Sequence, residues 1–319
     1  MSDYFNNREI LITGGTGSLG KALTNLLLEK YHPHGIRIFS RGEYLQWQMN
    51  KEIKSKFSNA KVSFLIGDIR DRKRIELACK GVHIIIHAAA LKQVISSEYN
   101  PIETIQTNVF GSQNIVYAAI ENKVEKVIGI STDKAVYPIN LYGATKMCME
   151  RLFLQGNHYT AGRDPLFSIC RYGNVIGSRG SVIPLFKEQA KTGMLTITEP
   201  HATRFWITLE KVAQFIVDRI EEMKGEEIFI PKISSCFIID IARTICPNCN
   251  VETIGLSVGE KYHETLITFE EGKRAISHKD YFTITNKSIG NNIEAGGYNS
   301  LSNQQRLTSD EIKKHTGGN

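Results

Sequence analysis

Short apolar runs recur through the first half of the chain, and each run ends in a small or polar residue. They lie at Glu9–Thr13, Ile36–Arg41, 61–66, His83–His87 and Val127–Ser131. Runs that are apolar throughout, rather than alternating, are typical of parallel strands buried on both faces. We therefore predict that each of these runs is a buried strand.

Segments with helical character separate these runs. Lys21 to Lys30 follows the first run, and Pro101 to Glu121 precedes the last. Strands that alternate with helices form right-handed βαβ units and a parallel sheet. A further apolar run, Phe167–Arg171, extends the pattern. The predicted fold class is α/β, a doubly wound parallel sheet (Rossmann fold) with a smaller α/β lobe.

Composition narrows the classes of function. The chain has 319 residues, 41% of them apolar, and a formal net charge of +6. This apolar content can fill a large core, and the charge is not gathered into a basic stripe, so we expect no nucleic-acid binding. No apolar run approaches the ~20 residues of a membrane helix, and the first residues do not resemble a signal peptide. We expect a soluble, cytoplasmic protein.

Six cysteines, at positions 79, 148, 170, 236, 246 and 249, do not form a disulfide framework. Only Cys246 and Cys249 are close in sequence, and no second pair at similar spacing completes a zinc site. We expect free thiols in a reducing compartment and no bound metal. A redox or metal role for this pair is the alternative.

The first predicted strand runs directly into a glycine-rich loop that is followed by a helix. The loop residues are Gly14, Gly15, Thr16, Gly17, Ser18, Leu19 and Gly20. In this context Gly14 permits a tight turn, Gly17 lets the backbone approach a pyrophosphate, and Gly20 allows close packing of the helix. The helix N-terminus offers free N–H groups to phosphates. The loop predicts a dinucleotide site.

The end of the second strand bears on the choice of dinucleotide. A fold that prefers NAD usually places an acidic residue there for the ribose hydroxyls. This chain has Ser40 and Arg41, with Lys21 close to the glycine loop, and these groups suit a 2′-phosphate. We predict NADP, with NAD less favoured. The alternative is that Arg41 is a solvated loop cation and that the pocket does not discriminate between NADP and NAD. Glu43 is a nearby acidic residue that would oppose a 2′-phosphate.

Residues 131–146, which read STDKAVYPINLYGATK, hold the candidate proton-transfer groups. Tyr142 and Lys146 lie four residues apart and share one face of a helix. An ammonium group beside a tyrosine lowers the pKa of the phenol and makes it a general base. A solvated helical face is the alternative.

These features together resemble the extended short-chain dehydrogenase/reductase superfamily, and more narrowly the soluble inverting UDP-N-acetylglucosamine 4,6-dehydratases. The resemblance covers about residues 8 to 285. Its most specific segments are STDKAVYPINLYGATK, AAALKQV at 88–94, RYGNVIGSRGSVIP at 171–184, TRFWIT at 203–208 and GEKYHE at 259–264.

The resemblance implies a set of cofactor contacts. Asp68 and Ile69 would flank the adenine, and Ala88, Ala89 and Ala90 would let the backbone pass the nicotinamide ribose. Asn108 would help to shape the site, with an internal hydrogen bond as the alternative. Tyr142 would act as the base, and Lys146 would hold the ribose. His87, at the end of a buried strand, is expected to be structural.

It also implies a reaction in which water is removed across C5–C6 of a hexose. Oxidation of C4 to a ketone makes the C5 proton acidic, and the same hydride later returns to C6. Tyr142 would take the C4 hydroxyl proton, and Thr132 would bind the C4 oxygen. Asp133 would protonate the departing C6 hydroxyl, and Lys134 would take the C5 proton, work that Tyr142 could share. An Asp–Lys neighbour pair is otherwise an ordinary surface ion pair.

The nucleotide-sugar is expected to contact a set of residues that follows the core: Lys92, Asn174, Arg179, Ser181, Arg204 and Glu260. For Arg204 an internal salt bridge is the alternative. Relatives usually carry Arg-Pro directly before Gly-Glu-Lys, whereas this chain has Ser257 and Val258. A diphosphate-binding guanidinium is therefore expected to be missing.

The predicted organisation has three parts: residues 1–172, mainly the dinucleotide-binding core; residues 173–285, mainly the substrate-binding lobe with some return to the core; and residues 286–319, a polar C-terminal tail. This tail is rich in Asn, Gly, Ser and Gln, so we predict a loose segment with a short helix near residues 309–314.

Rival functions share much of this pattern. A UDP-hexose 4-epimerase needs the Tyr/Lys pair but no acid/base pair at Asp133 and Lys134. A retaining dehydratase would use nearly the same residues, and an idle NADP-sensing module would tend to lack Tyr142 and Lys146. Membrane-bound relatives carry transmembrane helices, which this sequence does not predict. The resemblance also implies a homo-oligomer, from dimer to hexamer.

Overall fold

A computed structural model of the protein describes residues 3–161, 163–177, 182–286 and 297–316. Its strands are β1 (Glu9–Thr13), β2 (Gly35–Ser40), β3 (Val62–Ile66), β4 (Ile84–His87), β5 (Lys126–Thr132), β6 (Leu166–Tyr172), β7 (Asn174–Val175), β8 (Met194–Ile197), β9 (Thr203–Ile207), β10 (Ile228–Pro231), β11 (Ser234–Phe237), β12 (Asn250–Thr253), β13 (Thr265–Ile267), β14 (Ala275–Ser277), β15 (Tyr281–Ile284) and β16 (Tyr298–Asn299).

The helices are α1 (Ser18–Leu26), α2 (Glu43–Lys56), α3 (Arg72–Cys79), α4 (Val94–Tyr99), α5 (Pro101–Ile105), α6 (Gly111–Glu121), α7 (Leu141–Tyr159), α8 (Val182–Ala190), α9 (Leu209–Glu222), α10 (Ile238–Ile245), α11 (Phe269–Gly272) and α12 (Ser309–Thr316). A π-helical turn, Leu27–Tyr31, continues α1, and another, Gln106–Phe110, joins α5 to α6.

The main sheet has the order β14-β15-β10-β6-β5-β4-β1-β2-β3. The strands from β3 to β10 are parallel, and β15 and β14 add an antiparallel edge. The chain order reverses between β1 and β4, which is the switch point of a doubly wound fold. All residues of β4 are buried, as expected for a central parallel strand. The predicted fold class is confirmed.

A second, smaller core lies beyond the main sheet. Here β9 pairs with β11 on one side and β7 on the other, and β8 pairs with β12. Phe186, Leu195, Trp206 and Ile241 are buried in this lobe core. Between the lobe strands the chain returns to the main sheet as β10, and later as β14 and β15.

The described part of the C-terminal segment differs from its prediction. The helix predicted near its end is present as α12, but the segment is not loose. Strand β16 pairs with β13, Ser300 is fully buried, and Ile312 belongs to the lobe core. The polar composition led to the wrong prediction because polar groups of this segment form hydrogen bonds within the protein. Ser300 Oγ, for example, lies 2.7 Å from Thr203 Oγ1.

Candidate active site

A cavity of about 1040 Å³ opens at the carboxyl ends of the central strands and extends beneath the smaller lobe. Its walls come from the loops after β1, β2, β4, β5 and β6 and from the segment around Gly259. Ligands of doubly wound sheets bind at this edge. The predicted cofactor and substrate residues are therefore expected to line this cavity.

The glycine loop has the geometry that a dinucleotide requires. Gly14 has φ +65°, and a Cβ atom there would lie 2.9 Å from the backbone of Ala89. A Cβ atom on Gly20 would lie 2.4 Å from the carbonyl oxygen of Gly15, so the helix packs against the loop at close range. Gly17 caps α1 without a side-chain hydrogen bond, so the first N–H groups of α1 remain available to phosphates. All of the loop residues except Gly15 line the cavity.

At the far end of this loop, Ser40, Arg41, Asp68 and Ile69 line the cavity. Burial alone would raise the pKa of Asp68, but hydrogen bonds from Arg70 hold it below its usual value. Arg41 Nη1 lies 3.7 Å from Asp68 Oδ2, and the Arg41 side chain is 57% exposed. A guanidinium beside the cavity can thus reach a ligand.

Lys21 does not line the cavity. Its ammonium group lies 2.8 Å from Glu52 on α2, in an ion pair. The sequence placed Lys21 near the loop but could not show that Glu52 from another helix would meet it. Arg41 lines the cavity and remains the candidate for a contact with a 2′-phosphate.

Ala88, Ala89 and Ala90 line the cavity beyond β4, whereas Asn108 does not. The Asn108 side chain accepts a hydrogen bond from the backbone of Leu91 and donates to the Leu91 carbonyl and to Thr145 Oγ1, at 2.8 to 3.0 Å. Its hydrogen-bonding capacity is used internally, so the predicted cofactor contact is wrong. Asn108 instead fixes the loop after β4 to α7.

His87 is structural, as expected. Its ring nitrogens lie 2.8 Å from Thr13 Oγ1 and 3.1 Å from Ser112 Oγ. Complete burial, with Lys146 nearby, lowers the pKa of His87 to about 3. The ring is neutral at neutral pH and ties β1 to β4 and α6.

The turn after β5 carries the predicted acid and its neighbours. Asp133 is completely buried, and its Oδ1 accepts hydrogen bonds from Thr132 Oγ1 at 2.9 Å and from Lys134 Nζ at 3.0 Å. Its Oδ2 is buried and has no hydrogen-bond partner in the described part of the chain. Thr132 and Lys134 line the cavity, and Asp133 lies one hydrogen bond behind them.

Two carboxylates face Lys134. Its Nζ lies 3.0 Å from Asp133 Oδ1 and 3.4 Å from Glu264 Oε1. Burial alone would lower the pKa of Lys134, but the charges of Asp133 and Glu264 raise it above its ordinary value. An ammonium group cannot accept a proton, so this environment opposes the predicted role of Lys134 as a base.

Tyr142 and Lys146 both line the cavity from α7. Burial raises the pKa of Tyr142 to about 12, and the cation that lowers it is Lys134 rather than Lys146. Burial lowers the pKa of Lys146 to about 8, with Glu150 acting in the opposite direction. The prediction that Lys146 lowers the pKa of Tyr142 is therefore wrong for this structure. Lys146 Nζ contacts Met149 Sδ instead, at 2.9 Å.

Glu264 was not predicted as a site residue, although it ends the GEKYHE segment. It is 2% exposed, lines the cavity and lies 3.3 Å from Lys261 Nζ through its second oxygen. Burial would raise its pKa, but Lys134 and Lys261 lower it. The sequence did not predict its contact with Lys134, because the two residues are far apart in the chain.

The predicted substrate residues fall into two groups. Lys92, Asn174, Arg204 and Glu260 line the cavity, whereas Arg179 and Ser181 lie outside the described residues. Arg204 forms the alternative internal salt bridge, with Nη2 at 2.8 Å from Glu260 Oε1. Burial and Lys134 lower the pKa of Lys92.

Ser257 and Val258, where the resemblance predicts that a guanidinium is missing, also line the cavity. Val258 is 87% exposed. At these two positions the wall presents a hydroxyl and a methyl-bearing side chain.

Cys246 and Cys249 form a disulfide, contrary to the expectation of free thiols. They are joined across the end of α10, which brings their Cα atoms to 5.4 Å. The other four cysteines are free, as expected. Within the described ranges there is no group of three His, Cys, Asp or Glu side chains that could hold a metal ion. No helix in this part of the chain is long and apolar enough to cross a membrane.

Comparisons with known proteins show the family and the fold to which the chain is similar. A family model described as polysaccharide biosynthesis protein matches residues 10–286. The inverting UDP-N-acetylglucosamine 4,6-dehydratase of Campylobacter jejuni is 46% identical over 283 residues, which cover 88% of this chain and 84% of the relative. A UDP-glucose 4-epimerase of Rickettsia rickettsii is 41% identical over 288 residues, covering 88% and 83%. Among solved structures, Pen from Bacillus thuringiensis matches with a TM-score of 0.90 and 37% identity, over 98% of this chain and 97% of that one.

Proposed function

The chain belongs to the polysaccharide biosynthesis protein family, and from this premise we propose that it is a UDP-N-acetylglucosamine 4,6-dehydratase that inverts C5. The product would be UDP-2-acetamido-2,6-dideoxy-β-L-arabino-hex-4-ulose. The 46% identity to an inverting dehydratase supports both the substrate and the stereochemistry.

The observation that carries this proposal is the buried acid at Asp133, which lies directly behind the cavity-lining Thr132 and Lys134. Burial raises the pKa of Asp133, with Lys134 opposing this and Glu264 adding to it. A carboxyl group that keeps its proton can serve as a general acid. An epimerase moves a hydride at C4 and has no need for such an acid. The site therefore favours dehydration over the epimerisation named for the Rickettsia relative.

The cofactor is a nicotinamide dinucleotide in this proposal, and NADP is preferred. The backbone of the glycine loop and the N-terminus of α1 would hold its phosphates, and Arg41 would hold a 2′-phosphate. Ala88, Ala89 and Ala90 leave room for the nicotinamide ribose, which Lys146 would hold. When bound, the cofactor accepts the C4 hydride and returns it to C6.

The protein supplies the proton transfers. Tyr142 takes the C4 hydroxyl proton, while Thr132 binds the C4 oxygen. The Thr132 hydroxyl, which lines the cavity and donates to Asp133 Oδ1 at 2.9 Å, turns towards the substrate, accepts the Asp133 proton and passes its own proton to the C6 hydroxyl. The C6–O bond breaks, and water leaves.

The C5 proton is assigned to Tyr142 rather than Lys134, because the positive charge of Lys134 is held by two carboxylates and favours a phenolate on Tyr142. Before each step the phenol gives its proton to the neutral amine of Lys146. Lys146 lies on the same face of α7, and its lowered pKa of about 8 makes that amine accessible near neutral pH. Lys134 then stabilises negative charge that develops on the sugar.

The lobe side of the cavity would hold the nucleotide-sugar. Lys92, Asn174, Arg204 and Glu260 are positioned there, and Arg179 and Ser181 are kept as candidates. Residues 1–172 would form mainly the cofactor part and 173–285 mainly the substrate lobe. We also propose a cytoplasmic homo-oligomer with no nucleic-acid partner.

Proton NMR of the purified protein with NADP and UDP-N-acetylglucosamine in D₂O tests the function. We expect a new C6 methyl signal, deuterium at C5 and L-arabino ring couplings. Retained D-xylo couplings would refute inversion but keep the dehydratase. Formation of UDP-N-acetylgalactosamine without a methyl signal would replace the proposal by an epimerase.

A further inference from the structure

Glu264 is a buried carboxylate on the cavity wall with no assigned part in the reaction. It is carried on the segment before β13, far along the chain from the turn that holds Asp133 and Lys134. Its side chain is 3% exposed, and that of Asp133 is 0% exposed. Removing a carboxylate from water is unfavourable unless a charge partner meets it.

Both carboxylates meet the same ammonium group. Lys134 Nζ lies between Asp133 Oδ1 at 3.0 Å and Glu264 Oε1 at 3.4 Å, and it also donates to Asn174 Oδ1 at 3.3 Å. The two buried carboxylates share this one positive charge, and the second ammonium group nearby, Lys261, contacts Glu264 alone. Two like charges at such a site cannot both ionise at low cost, so one carboxyl group tends to keep its proton.

The surroundings decide which one ionises. Glu264 has a second cation, Lys261 Nζ, 3.3 Å from its other oxygen, and Arg204 acts on it as well. Asp133 has no second cation among the described residues; Asp133 Oδ2 and Glu264 Oε2 are both buried without a hydrogen-bond partner there, but only Glu264 Oε2 has an ammonium group close by. The pKa of Glu264 is lowered and that of Asp133 is raised. Opposite shifts of the two pKa values are typical of carboxyl pairs in which each group has a different role.

We propose that Glu264 is the permanent counter-ion of Lys134 and that it thereby leaves Asp133 free to hold a proton. Glu264 is a positioning residue, since it acts through Lys134 and Asp133. In the reaction, which rests on the proposed dehydratase function, the Asp133 proton moves to the C6 hydroxyl oxygen, the C6–O bond breaks, and Asp133 is left as a carboxylate beside Lys134.

The other charged groups around the pair come from separate elements. Tyr142 on α7 and Lys92 after β4 both interact electrostatically with Lys134. Tyr142 is neutral at neutral pH because its pKa is about 12. Lys92 adds positive charge, which favours an ionised Asp133, so the proton on Asp133 depends on the negative charge of Glu264.

Infrared difference spectroscopy tests this without any turnover. The spectrum of the NADP-loaded wild type minus that of D133N should show the carbonyl band of a protonated, buried carboxyl at pH 7. The band should be lost in E264Q, because Asp133 then becomes the sole counter-ion of Lys134, and it should persist in E270Q. Glu270 is an exposed carboxylate and provides the matched control. Absence of the band in the wild type, or its persistence in E264Q, would overturn the proposal.

Kinetics give a second readout. In E264Q we expect dehydration to slow by about tenfold or more, while the rise of reduced cofactor absorbance from C4 oxidation stays unchanged. Asp133 works while protonated, and its pKa falls when Glu264 loses its charge, so the alkaline limb of the rate profile should move about one pH unit lower. E264D should restore the wild-type limb.

The outcomes separate the two proposals. Equal loss of oxidation and dehydration in E264Q would indicate a merely structural role. A wild type that shows the infrared band but forms no 4-keto sugar would refute the proposed function and leave the role of Glu264 standing.

Discussion

Lys134 lies between two buried carboxylates, and its charge state decides which proton transfers the site can perform. If Lys134 acts as a cation, Lys134→Arg should keep at least about a tenth of kcat, because arginine retains the charge but cannot accept a proton. Lys134→Met should lose about a hundredfold or more. The measurement is the rate of 4-keto sugar formation at saturating substrate. An Arg variant as inactive as the Met variant, with unchanged substrate affinity, would return Lys134 to the role of C5 base.

Arg41 is the residue on which the cofactor preference depends. Arg41→Gln should weaken NADP binding by about tenfold to a hundredfold, the value of a charge-assisted contact, and leave NAD binding nearly unchanged. Dissociation constants for both cofactors can be measured by titration calorimetry. Lys21→Gln is the control, because Lys21 is already paired with Glu52. If NADP and NAD weaken equally in the Arg41 variant, this residue does not recognise the 2′-phosphate.

The sequence correctly placed residues on the cavity where the reactive groups lie together in one short segment. The glycine loop and the turn from Thr132 to Tyr142 are such cases, and both line the cavity. The contacts of Lys21, Asn108 and Lys146 in the structure, with Glu52, Leu91 and Met149, were not predicted, because packing sets them. Glu264 was missed for the same reason. A charge partner that folding brings from 130 residues away leaves no local pattern.

At the scale of elements, a buried ion network joins the catalytic helix to the rest of the molecule. Arg171 on β6 donates to Glu150 on α7, at 2.7 and 2.9 Å, and to Glu271 on α11, at 2.9 Å. Ser131 on β5 donates to the same Glu150 at 2.5 Å. Glu150 lies one turn after Lys146 and acts on its charge. The network thus fixes the turn of α7 that carries Lys146.

Removal of Arg171 should therefore be costly. Arg171→Met leaves two carboxylates buried without their partner, and we expect a loss of about 3–5 kcal/mol in the free energy of unfolding. Arg72→Met is the matched control, because Arg72 forms an exposed helical pair with Glu76 and should cost less than about 1 kcal/mol. Urea unfolding followed by circular dichroism gives both values. Similar losses in the two variants would show that burial adds nothing to this network.

The elements themselves were predictable to different degrees. The parallel strands were found because burial on both faces leaves continuous apolar runs, as in β4 and β5. The strands of the lobe are shorter, and β12 and β16 are mostly polar or half-exposed, so they carry no such signal. Their pairing with β8 and β13 depends on tertiary packing.

At the scale of the whole molecule, the proposed cofactor site and the proposed substrate site lie on parts with separate cores. The glycine loop belongs to the main sheet, whereas Arg204 and Glu260 are carried by the lobe and by the segment that folds back on it. The C-terminal segment completes the lobe, since Ile312 is 3% exposed in its core and Tyr298 Oη donates to the carbonyl of Ile233 at 2.7 Å. A destabilising substitution in this segment should therefore weaken substrate binding more than cofactor binding.

Ile312→Ala tests that coupling in the full chain. Removing this buried side chain should lower the free energy of unfolding by about 2–5 kcal/mol. Because Ile312 packs in the lobe core, KM for the nucleotide-sugar should rise while the dissociation constant for NADP stays unchanged. Leu301→Ala is the control, since Leu301 lies in the same segment but is 46% exposed and should alter neither constant. If the Ile312 variant weakens NADP and substrate binding alike, the two cores do not act separately, and the proposed division near residue 172 loses its physical basis.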